Sequence, residues 1–307
     1  MIHLVSLNPA LDLFFDLEKP LSGKIGKVTR ARVEPGGKAL NAARFLKKFN
    51  IPSSVWLGAG GGNHPTHVLY RALLAQENLK VSFLNQKTPI RFNLVTRTNR
   101  EAHKYNHPGF PTESRGFSRL LAQVKKNDTV VLTGRLPQGV PETLYVSWIK
   151  TLNRRGVQTI IDTSGKPLLY ALKAGPCFFK SNLFEISEAL DRPIQDLKQA
   201  LAFVKKNRQR KGFQQGALTD GASGALVWNE GECYRVQPPK ISSPLVVGAG
   251  DGFLAGYLYG SRLGNRLNVS AAWAGAFGAA VAASGIQGFT QAEAARFHQK
   301  VTVRQLK

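Results

Sequence analysis

The feature that most constrains the fold of this chain is an alternation of short β-rich runs with helical stretches from end to end. Such an alternation is typical of a mostly parallel sheet with helices on both faces, so we predict an α/β protein. The predicted strands are residues 3–7, 129–133, 159–162, 178–180, 217–219 and 225–228. The predicted helices are residues 39–49, 68–77, 117–125, 141–154, 184–189, 194–207 and 252–261.

Two stretches, residues 12–33 and 90–105, break this alternation because neither carries a helix between its strands. The second contains RFNLVTRTNREAHKY, which predicts a hairpin that turns near residues 98–100. We predict that both stretches form a small antiparallel β lid over the carboxyl edge of the main sheet, where open α/β sheets bind ligands. At 307 residues, the whole of 1–307 is expected to form one domain with this lid as its appendage.

The charge of the chain is unusually positive, with 42 Lys and Arg against 19 Asp and Glu, a formal net charge of +23. Such a surplus is compatible with a nucleic-acid surface, or with a basic habit shared across a proteome. The densest basic run consists of Lys205, Lys206, Arg208, Arg210 and Lys211. We interpret this run as a solvated helix end. Zinc-finger spacing and an RNA-recognition aromatic signature do not accompany it, so nucleic acid is the less favoured partner.

Cysteine usage and hydropathy bear on the compartment. Cys177 and Cys233 are too few for a disulfide framework, which favours a reducing compartment. The opening segment MIHLVSLNPALD lacks the basic and long apolar regions of a signal peptide. The most apolar stretch, residues 271–283, is shorter than the ~20 residues that cross a bilayer, so we predict a packed core helix there. We expect a soluble cytoplasmic protein without a membrane partner.

The strongest candidate site is the segment VVGAGDGFLAGYLYG at residues 246–260, a glycine-rich turn followed by an aspartate and an apolar helix. Gly248 and Gly250 allow the backbone to approach a ligand, and the free amides of a helix start bind anions. A carboxylate at Asp251 would be a natural base for a substrate hydroxyl beside such an anion. The alternative is that Asp251 simply caps the helix.

A second candidate segment is EPGGKALNAARFLKKF at residues 34–49, where a double glycine precedes a helix. Gly36 and Gly37 would let backbone amides press against a polyol. Asn41, one turn into the helix, would hydrogen-bond the polyol's hydroxyls. The alternative is an ordinary junction between a loop and a helix.

These two segments resemble the signatures of the PfkB carbohydrate kinases, a ribokinase-like family. The opening SLNPALD at 6–12 resembles the branch of the 1-phosphofructokinases and tagatose-6-phosphate kinases. The likeness continues, in the family's order, through IRFN at 90–93, NHPG at 106–109, LTGRLPQGVP at 132–141, IDTSG at 161–165, KSNLFEIS at 180–187 and LTDGASGAL at 218–226.

The resemblance implies in-line phosphoryl transfer from ATP, with Mg²⁺, to a furanose sugar or sugar phosphate. Asp251 would be the catalytic base, and Gly248, Ala249 and Gly250 would form an anion hole for the transferring phosphoryl group. Asn182 and Glu185 would help to place Mg²⁺, largely through water. Outside this family, Asn182 and Glu185 would be interpreted as a turn and the first turn of a helix.

The resemblance also implies the substrate and nucleotide contacts. The sugar-binding positions are Asp12, Gly36, Gly37 and Asn41. Arg91 matches an arginine that contacts a phosphorylated substrate, since a guanidinium binds phosphate bidentately. Alternatively, Arg91 is a charged lid residue. The nucleotide positions are Thr219, Gly221, Gly275 and Gly278, the last two in a helix of small residues beside the adenine.

Several positions depart from the family pattern: Ala39, Ser181, Gly252, Leu245, Val246 and Arg135. Arg135 stands where the phosphofructokinase branch has a serine close to the substrate, and so either adds a phosphate contact or fills the pocket. Because the base, the magnesium pair and the double glycine are all present, we favour a working enzyme over a catalytically silent relative.

The sequence thus predicts an ATP-dependent kinase of a sugar phosphate, with fructose 1-phosphate first, then fructose 6-phosphate or tagatose 6-phosphate. One alternative is a kinase of an unphosphorylated sugar or nucleoside. Another is a silent sugar- or nucleotide-binding protein. A homodimer through the lid strands is expected, because exposed strand edges are often covered by pairing. The sugar, the phosphorylated hydroxyl and the reason for the high charge stay open.

Overall fold

The chain folds into two β-sheets flanked by helices. The computed structural model describes residues 1–19, 26–58, 62–84, 87–98, 102–112, 116–242, 247–264 and 266–306. Within these ranges there are fourteen strands and ten α-helices. Most of the predicted hairpin turn at 98–100 lies outside the described residues, as do Leu245 and Val246.

The large sheet has ten strands in the order β14-β13-β12-β11-β10-β9-β8-β1-β4-β5. The strands are β1 (Ile2–Ser6), β4 (Ser53–Leu57), β5 (Val81–Phe83), β8 (Thr129–Thr133), β9 (Gln158–Asp162), β10 (Phe178–Asn182), β11 (Gly216–Thr219), β12 (Ala225–Trp228), β13 (Cys233–Gln237) and β14 (Thr302–Gln305). Every pairing from β5 to β11 is parallel. Antiparallel pairing continues the sheet from β11 to β14.

Helices cover both faces of this sheet. They are α1 (Lys38–Lys48), α2 (Pro65–Ala75), α3 (Phe117–Gln123), α4 (Leu144–Arg154), α5 (Lys166–Ala174), α6 (Leu183–Leu190), α7 (Leu197–Asn207), α8 (Ala249–Arg262), α9 (Leu267–Gly288) and α10 (Gln291–His298). One core cluster contains α1, α2 and α8 to α10, and the other contains α3 to α7. The central strands are buried along their whole length, as expected for parallel strands covered on both faces. The predicted α/β class is confirmed.

A small sheet of order β3-β2-β6-β7 stands apart from the large one. Its strands are β2 (Ala10–Leu17), β3 (Val28–Gly36), β6 (Arg91–Arg97) and β7 (Ala102–Asn106). Strands β6 and β7 form the predicted hairpin, β2 and β3 are the other antiparallel pair predicted for the lid, and a parallel β2–β6 pair joins them. The parallel pair arises because β2 follows β1 and β6 follows β5, so both strands leave the same edge of the large sheet.

Helix α9 is longer than the predicted core segment of 271–283. It runs from Leu267 to Gly288, with a kink at Gly285, and among the described residues it is the one helix long and apolar enough to cross a membrane. Half of its most apolar stretch is buried inside the protein, and it packs against α8, α10 and β13. Its contacts are those of a core helix, and its apolar length reflects burial between α8 and the antiparallel strands.

The basic run agrees with its prediction. Lys205 and Lys206 occupy the last turn of α7 and are exposed, in the position where cations complement the helix dipole. Cys177 is exposed, Cys233 is buried, and both are free thiols.

Candidate active site

Two helix starts, far apart in the chain, bring Asn41 and Asp251 together. Asn41 lies in the first turns of α1, as predicted, and donates from Nδ2 to Oδ2 of Asp251 at 2.7 Å. Asp251 is the third residue of α8 and is only 8% exposed. The N-cap of α8 is Gly248, which makes no side-chain cap, so the alternative in which Asp251 caps the helix is wrong. The Asp251 carboxylate is instead oriented by a partner 210 residues away.

The start of α8 is shaped to approach an anion. Gly248 has φ 89°, a left-handed conformation that favours glycine, and a Cβ there would lie 2.7 Å from Cγ1 of Ile286. A Cβ on Gly250 would lie 2.9 Å from Nζ of Lys180. The first N–H groups of a helix have no partner within the helix and lie at its positive end. Residues 249–251 therefore present backbone donors next to a lysine ammonium.

A buried charge cluster that the sequence analysis missed lies beneath this helix start. Asp162, at the end of β9, is fully buried, and its Oδ1 lies 2.9 Å from Nζ of Lys38 and 3.5 Å from Nζ of Lys180. Burial alone would raise the pKa of Asp162, but the ammoniums of Lys180 and Lys38 outweigh it and hold that pKa below its usual value. Lys180, one of the two lysines that bind Asp162, thus carries its ammonium to the start of α8 beside Gly250.

The same cluster sets the acid–base properties around Asp251. Burial raises the pKa of Asp251 and the charge of Asp162 adds to the rise, whereas Lys38, Asn41 and Lys180 oppose it. Burial lowers the pKa of Lys38, but Asp162, Glu185 and Asp251 outweigh burial and raise it above the usual lysine value. Lys38 therefore stays charged, and Asp251 is a stronger base than an exposed aspartate.

On the lid side, Asp12 and Gly36 are in contact. Nδ2 of Asn93 donates to Oδ1 of Asp12 at 2.7 Å, across the parallel β2–β6 pair. A Cβ on Gly36 would lie 2.1 Å from Oδ2 of Asp12, so only glycine leaves room for this carboxylate. Burial raises the pKa of Asp12, while Asn93 and the charge of Lys104 oppose the rise. Gly37, with φ 139°, then begins α1.

The two candidate phosphate contacts lie in the same region of the chain's surface. Arg91 donates from Nε to the carbonyl of Asn8 at 3.2 Å and from Nη1 to the carbonyl of His107 at 2.5 Å. Burial lowers the pKa of Arg91. The charge of Asp12 opposes this lowering, and the charge of Arg135 lowers the pKa further. Arg135 is exposed and donates from Nε to Oγ of Ser164 at 3.2 Å. Arg91 therefore lies within electrostatic range of both Asp12 and Arg135.

Asn182 and Glu185 form a reciprocal cap at the start of α6. Oδ1 of Asn182 accepts from the backbone N–H of Glu185 at 2.7 Å, and Oε2 of Glu185 accepts from the N–H of Asn182 at 3.1 Å. Oε1 of Glu185 lies 3.6 Å from Nζ of Lys38. Across the described ranges no group of three His, Cys, Asp or Glu side chains could enclose a metal. One available carboxylate suits Mg²⁺ that keeps most of its water shell.

The predicted nucleotide positions differ in their surroundings. Thr219 ends β11 and donates from Oγ1 to the carbonyl of Ser181 at 3.4 Å. Gly221 has φ 48° and open space around it. A Cβ on Gly275 would lie 2.6 Å from Cγ1 of Val236, and a Cβ on Gly278 would lie 3.3 Å from the carbonyl oxygen of Ala249. The two α9 glycines thus allow close packing against β13 and α8, and their place beside adenine stays a prediction.

One of the family departures, Gly252, has a packing explanation. A Cβ on Gly252 would lie 2.8 Å from Cγ2 of Val281 and 3.1 Å from the carbonyl of Phe277, so α9 leaves little room for the Ser or Thr common there. Ala39 is fully buried in the core cluster beneath α1. Ser181 is buried as well, and its Oγ donates to the carbonyl of Asn182 at 3.2 Å.

Lys38, Asp162 and Lys180 lie inside the motifs GGK, IDTSG and KSNLFEIS, yet a motif alone gave no reason to single them out. What could have identified two of them is their position in the sheet. Asp162 and Lys180 fall at or near the carboxyl ends of adjacent parallel strands, where α/β sheets gather functional side chains.

Known proteins resemble this chain along most of its length. Residues 5–290 match the pfkB family carbohydrate kinases. The 1-phosphofructokinase of Bacillus subtilis is 29% identical over 263 residues, which is 85% of each chain. Escherichia coli phosphofructokinase-2, in complex with substrates and products, superposes with a TM-score of 0.89 at 23% identity, covering 97% of this chain and 98% of that one.

Arabidopsis thaliana ribokinase, complexed with ribose and ATP, superposes with a TM-score of 0.73 at 16% identity, covering 97% of this chain and 98% of that one. The fold is therefore ribokinase-like, as the resemblance implied. Because the family match spans most of the chain, this protein belongs to the pfkB family of carbohydrate kinases, phosphotransferases that act on an alcohol group.

Proposed function

We propose that this chain transfers the γ-phosphoryl group of ATP to a hydroxyl of a sugar phosphate, with Asp251 as the general base. One observation carries the proposal: a buried carboxylate, oriented by Asn41, lies at a helix start that also holds the ammonium of Lys180, beside Gly250. A base for the acceptor and donors for phosphate are thereby in one place, which is what in-line phosphoryl transfer needs.

The proton is transferred to Asp251. Because Oδ2 accepts from Asn41, Oδ1 is the oxygen that takes the proton of the acceptor hydroxyl. The raised pKa of Asp251, caused first by burial, favours this transfer. The backbone amides of 249–251 and the ammonium of Lys180 stabilise the charge that develops on the phosphoryl oxygens.

Glu185 and Asn182 support the donor side. When bound with ATP, Mg²⁺ neutralises charge on the phosphate oxygens. Oε1 of Glu185, the oxygen of that carboxylate not used in the cap, would hold the ion through water, while Asn182 fixes the start of α6. Thr219 and Gly221, at and after the end of β11, line the nucleotide.

The acceptor is recognised by Asp12, Gly36, Gly37 and Asn41 through its hydroxyls, and by Arg91 and Arg135 through its existing phosphate. A desolvated phosphate needs charged partners, and the two guanidiniums supply them. The likeness to a 1-phosphofructokinase supports fructose 1-phosphate as the first candidate, and fructose 6-phosphate and tagatose 6-phosphate follow it. An unphosphorylated sugar or nucleoside is the second candidate, since the Arg135 side chain also suits a role in blocking the pocket.

We also propose that the kinase is a cytoplasmic homodimer joined through its lid. The lid face opposite Asp12 carries Leu13, Phe15, Phe92 and Tyr105, and the last two are 41% and 58% exposed. A second copy would cover this apolar face. Light scattering should report a dimer that Tyr105→Glu weakens, and a monomeric wild-type protein would contradict the proposal.

The test of function is an ADP-release screen over phosphorylated and free sugars, with Arg91→Ala and Arg135→Ser beside the wild type. Losing ~1.5–3 kcal/mol of charged hydrogen bonding should raise KM for the sugar phosphate roughly 10- to 150-fold in Arg91→Ala. KM for ATP should not move. The matched control is Arg154→Ala, an exposed arginine of α4, which should behave as wild type.

Arg135→Ser distinguishes a contact, which weakens sugar-phosphate use, from a blocking residue, whose removal improves it. If neither substitution changes discrimination between phosphorylated and free sugars, the unphosphorylated acceptor becomes the better proposal. Ligand-induced thermal stabilisation without any ADP release would instead indicate a silent binding protein. Affinity for nucleic acid that falls steeply with salt would support the nucleic-acid alternative.

A further inference from the structure

Behind Asn41, on the side away from Asp251, lies the largely buried guanidinium of Arg44. Its Nη1 donates to Oδ1 of Asn41 at 2.9 Å. Its Nε and Nη2 donate to the two carboxylate oxygens of Glu77 at 2.7 and 2.5 Å. The side chains of Arg44 and Glu77 are only 12% and 21% exposed. The bidentate pair holds the guanidinium in one orientation.

This arrangement decides which end of the Asn41 amide faces the carboxylate. An amide has one accepting oxygen and one donating nitrogen, and it can be turned to present either. Arg44 only donates, so it requires the oxygen of Asn41 and turns Nδ2 towards Asp251. Without Arg44, the Asn41 oxygen would lose its donor, and only the hydrogen bond to Asp251 would hold the amide in place.

The same guanidinium also braces the double-glycine turn. Nη2 of Arg44 donates to the carbonyl of Pro35 at 2.6 Å, and the hydroxyl of Tyr70 donates to the carbonyl of Gly36 at 2.9 Å. Tyr70 is fully buried on α2, and Glu77 follows that helix. The segment that contacts Asp12 is therefore fixed by residues that do not reach the acceptor.

We propose that Arg44, held by Glu77, is a positioning residue for proton transfer, because it fixes the Asn41 amide that orients Asp251. The inference rests on the proposed role of Asp251 as base. The other charged groups that face Asp251 are Lys38, Lys180 and Asp162, and none of them contacts Arg44 through a hydrogen bond among the described residues. Loss of Arg44 would therefore act on Asp251 through Asn41.

The test compares Arg44→Lys and Glu77→Gln with the wild type. A lysine keeps the charge but cannot bind Glu77 bidentately and also donate to Asn41. We expect kcat to fall roughly 10- to 100-fold in Arg44→Lys, as for a small misplacement of a catalytic group, with KM for ATP unchanged. The acid limb of the pH profile of kcat/KM should move to higher pH, because Asp251 loses a donor to its ionised form.

Glu77→Gln, which preserves more of the packing, should show a smaller shift in the same direction. Arg71, on α2, donates a hydrogen bond to the carbonyl of Gly62. Arg71→Lys is the matched control and should leave kcat and the pH profile unchanged. Unchanged kcat and pH profiles in both test variants would overturn the proposal. The proposal would also be overturned if the pH profile did not move and a loss of folded protein, measured by circular dichroism, accounted for the entire fall in activity.

A double-mutant cycle separates this proposal from the proposed function. In an Asp251→Asn background, Arg44→Lys should lower the residual rate no further, since there is no carboxylate left to orient. An equal fall in both backgrounds would show that Arg44 acts elsewhere, while Asp251 stays the base. If Asp251→Asn retained most of the activity, the proposed base itself would fail, whatever Arg44 does.

Discussion

The contact between Gly36 and Asp12 gives the sharpest structural prediction. In Gly36→Ala, the new Cβ would lie 2.1, 2.4 and 2.8 Å from Oδ2, Cγ and Oδ1 of Asp12, so the whole carboxylate must retreat by more than 1 Å to reach ordinary contact. Because aspartate is short, that movement breaks its 2.7 Å hydrogen bond from Asn93. A hydrogen bond to a charged group contributes ~1.5–3 kcal/mol, which corresponds to a roughly 10- to 150-fold change in acceptor binding.

Steady-state kinetics with MgATP and fructose 1-phosphate provide the assay. Gly36→Ala should raise KM for the sugar phosphate by that factor, whereas Gly231→Ala, where a Cβ meets nothing closer than 3.8 Å, should not. In an Asp12→Ala background the effect of Gly36→Ala should vanish, since the two changes act through one contact. An equal rise in KM with and without the Asp12 carboxylate would refute this reasoning and assign the role to the Gly36 backbone itself.

Three further outcomes are expected. Gly252→Ser should lower the free energy of unfolding, measured in urea, by ~1–3 kcal/mol, because the new side chain overpacks against Val281. Val281→Ala should recover part of this loss, and an unchanged free energy of unfolding in Gly252→Ser would contradict the packing explanation. Burial opposes ionisation of Asp128, but the N-terminal ammonium of Met1, at 2.7 Å, helps to lower its pKa from 3.8 to about 2. Asp128→Asn should therefore lower the free energy of unfolding by its full amount above pH ~4, and the difference from the wild type should disappear as the pH falls towards 2. A difference in the free energy of unfolding that does not depend on pH would exclude this ion pair. Glu185→Gln should raise the Mg²⁺ concentration needed for half-maximal rate, and an unchanged titration would leave the α6 cap as the residue's only role.

The sequence predicted six strands of the large sheet well because they are largely apolar runs. Residues 129–133 and 225–228 match β8 and β12, and the other predicted strands agree within two residues. Strands β4, β5, β13 and β14 and helices α5 and α10 were not predicted. Several of these elements lie towards the sheet edges, where partial exposure weakens the apolar pattern; β5 has three half-buried residues and β14 is largely exposed.

The candidate site was predicted only where its chemistry is local. The glycine turns and Asp251 stand in short segments that a reader of the sequence can recognise. The Lys38–Asp162 pair joins residues 124 positions apart, and the Arg44–Glu77 pair joins two helical regions 33 positions apart. Neither pairing has a local spacing signal, because each depends on how the helices pack over the sheet.

The central claim, that Asp251 accepts the proton of a sugar-phosphate hydroxyl, is tested most directly by the turnover number of Asp251→Asn with MgATP and fructose 1-phosphate. Calorimetric titration should show that both ligands still bind with nearly wild-type affinity, since asparagine keeps the shape of the site. The turnover number should fall ~10²-fold or more, the range expected for loss of a general base. An Asp251→Asn protein that binds both ligands and keeps most of its turnover would contradict the account.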